Sequence, residues 1–320
     1  MGKRYWVDVS RTANGSKRRS KPHVAYDGEK LIRIRSLLEL ADAEEIYIDS
    51  LFPEIYEDLL TLLRDGVKVL LLREAWKFKG ARERLRIRKS DENDAFTLSR
   101  ISRRHFMELS AKDMEMRIAL APLLAEYIKV KKRIKTLRQW LQDEHEETEA
   151  INNAIKALVR KEYRLIYSII KEARKRLPLY SLVEERCGFS GASLAGLIFY
   201  VDFSRGFRKI LSYVGKTPTS RKSKKFNHQA RMFLNSLAIS IIRNIRRNPK
   251  KSSEKYPIEV VKIAMDDQLT VRDKVKRIEN KILKLIRRTY RETRHSVKEA
   301  RAVRAGELTN GQTPYEARSL

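Results

Sequence analysis

A strand–helix–strand pattern between residues 45 and 73 constrains the fold more than any other feature of the sequence. Residues 45–49 (EIYID) have the composition of a strand, and residues 53–65 carry apolar side chains at helical spacing. Gly66 follows where a helix C′ residue is expected. Residues 67–73 (VKVLLLR) are nearly all apolar, as in a strand buried on both faces. This alternation predicts an α/β domain over roughly the first hundred residues.

The segments before this pattern extend the predicted α/β domain. Residues 4–9 (RYWVDV) predict a short strand, and the polar residues 11–29 predict a loop. Leucine and isoleucine then recur at helical spacing over residues 29–43, which predicts a helix.

The rest of the sequence predicts helices. Residues 92–178 are highly charged with helical periodicity, and their simplest interpretation is a long coiled-coil-like hairpin whose tip carries the acidic run 143–149. Residues 180–246 form a glycine-punctuated segment, and residues 255–303 a further basic helical segment. The tail, 305–320, is expected to be disordered.

Charge indicates the class of partner. The chain has 70 lysines and arginines against 41 aspartates and glutamates, a formal net charge of +29. A polyphosphate partner neutralises such an excess and releases condensed counterions. We therefore expect the protein to bind nucleic acid.

Other bulk features of the sequence limit the expected location of the protein and its cysteine chemistry. No apolar run approaches the ~20 residues of a membrane span, and the amino terminus lacks an apolar signal core. We therefore expect a cytoplasmic, nucleoid-associated protein with no membrane partner. Cys187 is the only cysteine, which excludes an intrachain disulfide and a cysteine-based zinc site.

Four aspartates form a candidate metal site. Asp8 and Asp49 lie on or at the end of predicted strands, and Asp91 and Asp94 have the i, i+3 spacing that places both on one helix face. Converging carboxylates repel one another unless cations bind, and carboxylates that hold two Mg²⁺ ions are a usual device for phosphodiester cleavage. The alternative is that these aspartates are solvated ends of separate elements.

Two carboxy-terminal segments could contact nucleic acid. Residues 187–215 contain a glycine turn, with Gly188 and Gly191, that leads into a small-residue helix. Exposed amides there could hold a phosphate, although ordinary close helix packing explains the same pattern. Residues 217–233 offer a hydroxyl nucleophile, Ser220 or Ser223, among basic residues, or else a basic loop on a nucleic-acid backbone. The predicted nucleic-acid-binding residues are Gly188, Gly191, Arg221, Lys222, Ser223, Lys224, Lys225, Asn227 and Arg231.

The basic helical segment at 255–303 has an apolar seam, which leaves two interpretations open. Val271, Val275, Ile278, Ile282 and Leu285 follow a four-three spacing. The helix is either an oligomerisation coil with a face toward nucleic acid, or a helix packed on its own domain with a solvated basic face.

Several blocks, in order, resemble the IS-one-ten insertion-sequence transposases, also called DEDD or Piv-like transposases and recombinases. WVDVSR resembles the first acidic strand of the family, IYIDSLFPEIYEDLLTLLRDGVKVLLLR the second block, and KSDENDAFTLSRI the last acidic pair. GFSGASLAGLIFYV, ILSYVGKTP and SKKFNHQARMFL resemble blocks of the carboxy-terminal domain. The resemblance covers residues 4–245.

This resemblance implies the fold and the chemistry. The fold is α/β plus all-α: a RuvC-like, RNase H-type domain (1–102), a coiled-coil hairpin (103–178) and a transposase domain with a helix-hairpin-helix-like segment (179–250). A basic extension (251–304) and the tail (305–320) follow. The implied activity is DNA strand cleavage and joining, with Mg²⁺ on Asp8, Asp49, Asp91 and Asp94 and a serine nucleophile. Implied partners are DNA, a guide RNA and further copies in a homo-oligomer.

The chain departs from the family pattern at three places. Asp49 stands where the family has glutamate, the stretch that carries the family's serine is shortened here, and the basic segment 255–303 extends beyond the usual domain. Ser220 is the better positional candidate for the nucleophile, because Ser223 aligns with a serine that is not the family's nucleophile. The shortened stretch and the added basic helix favour an alternative function, an inactive transposase-derived protein that binds nucleic acid or chromatin and assembles through its coils.

Overall fold

The amino-terminal part of the chain is built on a six-stranded mixed sheet, seen in a computed structural model. The model describes residues 2–11, 21–73, 75–142, 148–217 and 226–310, with side chains except those of Ala75 and 295–310. Two units are distinguished, Met1–Ala125 and Glu126–Leu320, and each is considered by itself below. The finer domain bounds given above remain predictions.

The sheet has the order β3-β2-β1-β4-β5-β6. The first three strands run antiparallel to one another, β1, β4 and β5 run parallel, and β6 is antiparallel to β5. The bounds of the strands and of the helices that join them are β1 Lys3–Asp8, β2 His23–Tyr26, β3 Leu31–Ile34, β4 Ala43–Ile48, α1 Tyr56–Arg64, β5 Lys68–Leu72, α2 Ala75–Leu85, α3 Asp91–Ser99 and β6 Phe106–Glu108.

Burial explains why these segments become strands. Val7 in β1 pairs with Ile48 in β4, which pairs with Leu71 in β5, and the first two side chains are fully buried. Helix α1 packs on β5, and α3 packs on β1 and β2. The predicted strand–helix–strand pattern over 45–73 and the mixed α/β class of this unit are therefore confirmed. Gly66 has a φ of +89° just past α1, as the helix end requires.

The prediction for residues 11–43 was wrong in two respects. The supposed loop contains β2, and the supposed helix contains β3 followed by a 3-10 turn at Leu37–Leu40. Asp27 and Gly28 make the turn between these strands: the Asp27 carboxylate accepts hydrogen bonds from two following backbone amides, and Gly28 has a φ of +107°. An Asp-Gly pair is a strong hairpin signal, and pairing with β2 overrode the helical spacing.

Two long helices follow, α4 (Ala111–Gln142) and α5 (Thr148–Arg176). Within the second unit they are joined by ion pairs from Lys161 to Glu126, at 2.5 Å, and from Lys131 to Glu162, at 3.9 Å. The helices fit the predicted hairpin, whose coiled-coil packing remains a prediction, and the connecting residues 143–147 lie outside the described part. One strand, β6, was missed in the segment predicted as helical.

In the remainder of the second unit, helices pack against α9 (His228–Arg247): α7 (Ala192–Tyr200), α10 (Pro249–Lys255), α11 (Ile258–Met265) and α12 (Val271–Asn310). Gly196 of α7 lies so close to Phe233 of α9 that an added Cβ would be 2.6 Å from the ring. Among the described residues, no helix has both the length and the apolar composition that crossing a bilayer requires. The helices are α6 Pro178–Cys187, α7 Ala192–Tyr200, α8 Phe207–Tyr213, α9 His228–Arg247, α10 Pro249–Lys255, α11 Ile258–Met265 and α12 Val271–Asn310.

Over its described side chains, helix α12 packs on its own unit, as one of the two interpretations of the basic segment predicts. It packs on α6, α9 and α11 of the same unit, and Ile278, Ile282 and Ile286 are fully buried there. Val271, at its start, is 64% exposed, so the buried side begins later than the predicted seam. The helix runs to Asn310, into the segment that was predicted as a disordered tail.

Candidate carboxylate site

The carboxyl ends of β1 and β4 place two aspartates at one edge of the sheet. The strands are adjacent and parallel, and Val7 is paired with Ile48. Asp8 and Asp49 are the next residues on each strand, so both leave the sheet at the same edge. The backbone amide of Val9, the residue after Asp8, donates a hydrogen bond to the side-chain Oδ1 of Asp49, at 3.2 Å.

Helix α3 contributes the other two aspartates. Ser90 caps its amino terminus by accepting a hydrogen bond from the Asn93 amide, so the helix starts at Asp91. Asp91 and Asp94 lie in the first turn, where the helix dipole favours carboxylates. Because α3 packs on β1 and β2, this turn approaches the edge that carries Asp8.

Electrostatics indicate that the four side chains, here named the carboxylate cluster, influence one another. Burial raises the pKa of Asp8 to about 7, and the charges of Asp49, Asp94 and Asp91 add to the rise. Lys21 opposes it. Near neutral pH Asp8 therefore holds a proton part of the time, because burial and, to a smaller extent, the neighbouring carboxylates disfavour its negative charge.

Asp49 and Asp94 are also held in environments that disfavour ionisation. Burial raises the pKa of Asp49, whereas hydrogen bonds from Ser50 Oγ, at 2.8 Å, and from the Val9 amide oppose the rise. Burial likewise raises the pKa of Asp94, against the opposing charge of Arg82. The carboxylate of Asp49 is thus fixed in orientation by two donors.

Two basic side chains already contact the cluster. Lys21 Nζ lies 2.5 Å from Asp91 Oδ2, and Arg82 Nε lies 3.3 Å from Asp94 Oδ1. The second contact is an ion pair by distance only: both of its atoms are buried and lack a hydrogen-bond partner of good geometry among the described atoms. Neither cation was predicted, because Lys21 lies 70 residues from Asp91 and no short-range pattern connects them.

The donor chemistry of the carboxylate cluster fits Mg²⁺, since hard divalent ions prefer carboxylate oxygens. Asp94 Oδ1, buried without a hydrogen-bond partner, is an acceptor that an ion would satisfy. In the described part of the chain, however, no three His, Cys, Asp or Glu side chains are already grouped closely enough to hold a metal ion.

A buried histidine, also missed from sequence, anchors the backbone beside Asp8. His23 is fully buried on β2, and its Nδ1 accepts a hydrogen bond from the Ser10 amide at 2.9 Å. Burial lowers the pKa of His23, so the ring is neutral. It fixes the chain just after Asp8 without a charge of its own.

The predicted nucleic-acid residues that are described have internal contacts. Gly188 ends α6 at a φ of +65°, and the amide of Gly191 donates to Tyr180 Oη at 2.9 Å. Asn227 caps α9 through the Ala230 amide, at 2.8 Å. These contacts explain the residues structurally and leave their proposed nucleic-acid contacts as predictions. Ser220, Arg221, Lys222, Ser223, Lys224 and Lys225 lie outside the described residues.

Arg231 belongs to a buried ion cluster that was not predicted. Glu279 of α12 is fully buried, and its Oε2 lies 2.7 Å from Lys216 Nζ and 3.0 Å from Arg231 Nη1. Asn235 Nδ2 donates to Oε1 at 3.3 Å. This set, the Glu279 cluster, links the end of α8 and helix α9 to α12.

No protein-family model matches the chain, and no curated protein sequence matches it.

Proposed function

We propose that the protein is a DNA transposase or recombinase that cuts and joins strands with Mg²⁺ held by Asp8, Asp49, Asp91 and Asp94. The observation that carries this proposal is that Asp8 and Asp49 lie at the carboxyl ends of two adjacent parallel strands, with α3, which begins at Asp91, packed on β1. The raised pKa of Asp8, caused first by burial and then by the other three carboxylates, agrees with this placement. Carboxylates from three separate elements close enough to perturb one another are the arrangement of functional sites.

The sheet supports the nuclease part of the proposal. Strands β1, β2 and β3 are antiparallel, and β4 and β5 continue the sheet parallel to β1, with acids at the ends of β1 and β4. This arrangement is compatible with the RNase H-type domain that the sequence resemblance implies. Fold by itself does not define an activity, and the proposal therefore depends on the carboxylates.

Each member of the cluster has a distinct part in holding the metal. Asp49 is oriented by Ser50 and the Val9 amide, and Asp94 offers its unsatisfied oxygen. Asp8 must lose the proton that its raised pKa retains, and Asp91 must release Lys21. Bound Mg²⁺ would stabilise negative charge on the attacking and leaving oxygens of a phosphodiester.

Ser220 is the proposed nucleophile for strand joining, and DNA, a guide RNA and a homo-oligomer are the proposed partners. The net charge of +29 supports a polyanionic partner. A nucleoid-associated location follows from the same reasoning.

The test is Mg²⁺-dependent cleavage of supercoiled and branched DNA by the full chain, with Asp8→Asn and Asp94→Asn as variants. Asp65→Asn is the matched control, because Asp65 is exposed on the same unit at the end of α1. We expect both cluster variants to lose at least 100-fold in rate and the control to retain activity. Cleavage that persists in both cluster variants would refute the metal site. A denaturation-resistant protein–DNA adduct that Ser220→Ala abolishes would identify the nucleophile.

An inactive nucleic-acid-binding protein is the second candidate, and the ion pairs of Lys21 and Arg82 with the cluster favour it. These cations neutralise two carboxylates without a metal. Under this alternative, Mg²⁺ neither stabilises the protein nor supports cleavage, whereas DNA binding survives in the Asp8→Asn variant.

A further inference from the structure

One face of α5 combines exposed tyrosines with unpaired basic residues. Tyr163 and Tyr167 are 69% and 72% exposed, the most exposed large apolar side chains of the described residues. They are four residues apart, so they are neighbours on the helix surface. Side chains this large cost hydrophobic free energy when they are left in water.

Basic residues lie around the two rings on the same face of α5. We name the surface that these basic residues form together with the two tyrosines the tyrosine stripe. Lys156, Arg160, Arg164 and Lys171 are exposed, and no ion pair involves them within the described part of the chain. The stripe consists of Lys156, Arg160, Tyr163, Arg164, Tyr167 and Lys171.

Nearby acids do not neutralise the stripe. Glu162 is turned toward Lys131 of α4, 3.9 Å away, and Glu172 is paired with Arg176 at 2.8 Å. The stripe therefore presents positive charge together with two aromatic faces.

The same helix borders an open surface depression. Its lining residues all belong to α5: Ala157, Arg160, Lys161, Arg164, Leu165 and Ser168. Arg160 and Arg164 therefore belong both to this depression and to the tyrosine stripe, where their guanidinium groups are exposed to a phosphate.

We propose that the tyrosine stripe binds single-stranded nucleic acid, with bases stacked on Tyr163 and Tyr167 and phosphates held by Arg160, Arg164, Lys156 and Lys171. Stacking on aromatic rings within a basic track is how proteins bind single strands without regard to sequence. The rings lie about 6 Å apart along the helix axis, so successive bases of an extended strand can each reach one. The inference rests on the proposed function in its choice of nucleic acid as partner.

The charges favour a nucleic acid over a second copy of this chain. A symmetric contact between two stripes would oppose Arg160 and Arg164 to their own equivalents, and like charges opposed in this way cost several kcal/mol. Single strands are favoured over a duplex because stacking needs bases whose faces are free.

The test measures binding of the full chain to a fluorescein-labelled 20-mer of thymidine and to a 20-base-pair duplex, by anisotropy. Replacing each tyrosine by alanine should weaken binding to the single strand about 5- to 150-fold. Tyr163→Phe with Tyr167→Phe should retain it, since the rings remain. Trp76→Ala is the control for the loss of an exposed aromatic side chain, because Trp76 is 62% exposed on α2 of the other unit. The affinity of this variant for the single strand should stay within twofold of wild type.

A second pair of variants tests the basic residues. The double variant Arg160→Gln with Arg164→Gln should make the negative slope of log K against log salt shallower by about 1.4. Each lost phosphate contact on a single strand accounts for ~0.7 of this change. Lys250→Gln with Lys251→Gln, an exposed pair on α10, should leave the slope unchanged.

Three results would overturn the proposal. They are unchanged affinity in both tyrosine-to-alanine variants, an equal loss for single strand and duplex, and a shift of oligomeric state in sedimentation, which would assign the stripe to a second copy. The Asp8→Asn variant separates this proposal from the proposed function. It should bind the single strand as wild type does even when cleavage is lost, and the tyrosine variants should keep Mg²⁺-induced stabilisation.

Discussion

Removal of the charge on Glu279 should destabilise the second unit by about 3–5 kcal/mol, the cost of breaking a buried ion pair by deleting one partner. Glu279 is fully buried, and its main partner Lys216 is 5% exposed. In Glu279→Gln the Lys216 ammonium loses its carboxylate partner and faces neutral acceptors, the Lys276 carbonyl oxygen at 2.8 Å and the amide oxygen of the introduced side chain. Arg231 is 33% exposed and can turn to water, so Lys216 accounts for most of the loss.

The size of the effect can be read from thermal unfolding of the full chain, followed by far-ultraviolet circular dichroism. For a unit of this size each kcal/mol lowers Tm by about 2–4 °C, so the variant should melt about 6–20 °C lower. Glu254→Gln, which removes an exposed glutamate of the same unit, should change stability by less than about 0.5 kcal/mol.

The pH dependence provides a second readout of the same variant. Burial already lowers the pKa of Lys216 below its usual 10.5, and Glu279 opposes that shift. Without Glu279 the folded state binds the proton still more weakly than the unfolded state, so stability rises with pH up to about 10.5. The deficit of the variant should therefore shrink at high pH.

Glu279→Leu combined with Lys216→Met should recover much of the loss, because replacing both partners by apolar groups leaves little buried charge. A loss below about 1 kcal/mol in Glu279→Gln, or a double variant no more stable than the single one, would refute this account of the Glu279 cluster.

Three further outcomes are expected. In metal-free buffer, stability should fall as pH rises from about 4 to about 7, because the folded state retains the Asp8 proton that the unfolded state loses. Urea titrations at several pH values should show that Asp8→Asn flattens this fall. Lys21→Met should tighten Mg²⁺ binding in thermal-shift titrations, because the Lys21 ammonium competes for Asp91; unchanged or weaker binding would exclude such competition. Gly188→Ala should cost more than about 1 kcal/mol, since Gly188 has a φ of +65° and an added Cβ would collide with the Lys255 carbonyl oxygen. Gly206→Ala, where a Cβ meets open space, should cost distinctly less by the same unfolding measurement.

Local pattern was sufficient for part of the fold. The parallel core of the sheet, β4 and β5 with α1 between them, follows from apolar runs and one glycine within 30 residues. Helix α5 follows from periodicity in the same way, within the segment 92–178 that was predicted to be helical. The hairpin of β2 and β3 was missed because Leu31, Ile34 and Leu37 have helical spacing. Strand β6 was missed because a strand of three residues carries almost no periodic signal.

The candidate site, like the fold, could be predicted from the sequence only in part. The four aspartates could be selected from sequence, because strand ends and an i, i+3 pair are local features. Their effect on one another could not, since it depends on α3 packing against β1 and on burial that raises the pKa of Asp8. Lys21, Arg82 and His23 give no local signal for their contacts with this region.

The sequence by itself determined that the chain is strongly basic, that an α/β unit comes first and helices follow, and which acids can lie at the sheet edge. Only the tertiary structure decided which charges are compensated inside the protein. Lys21, Arg82, Lys216 and Arg231 contact carboxylates, whereas Arg160 and Arg164 remain exposed beside two tyrosines. The physical reason is that hydrophobic periodicity is a local signal, which depends only on residues close together in the sequence. Ion pairs depend on which elements pack together, often more than 60 residues apart.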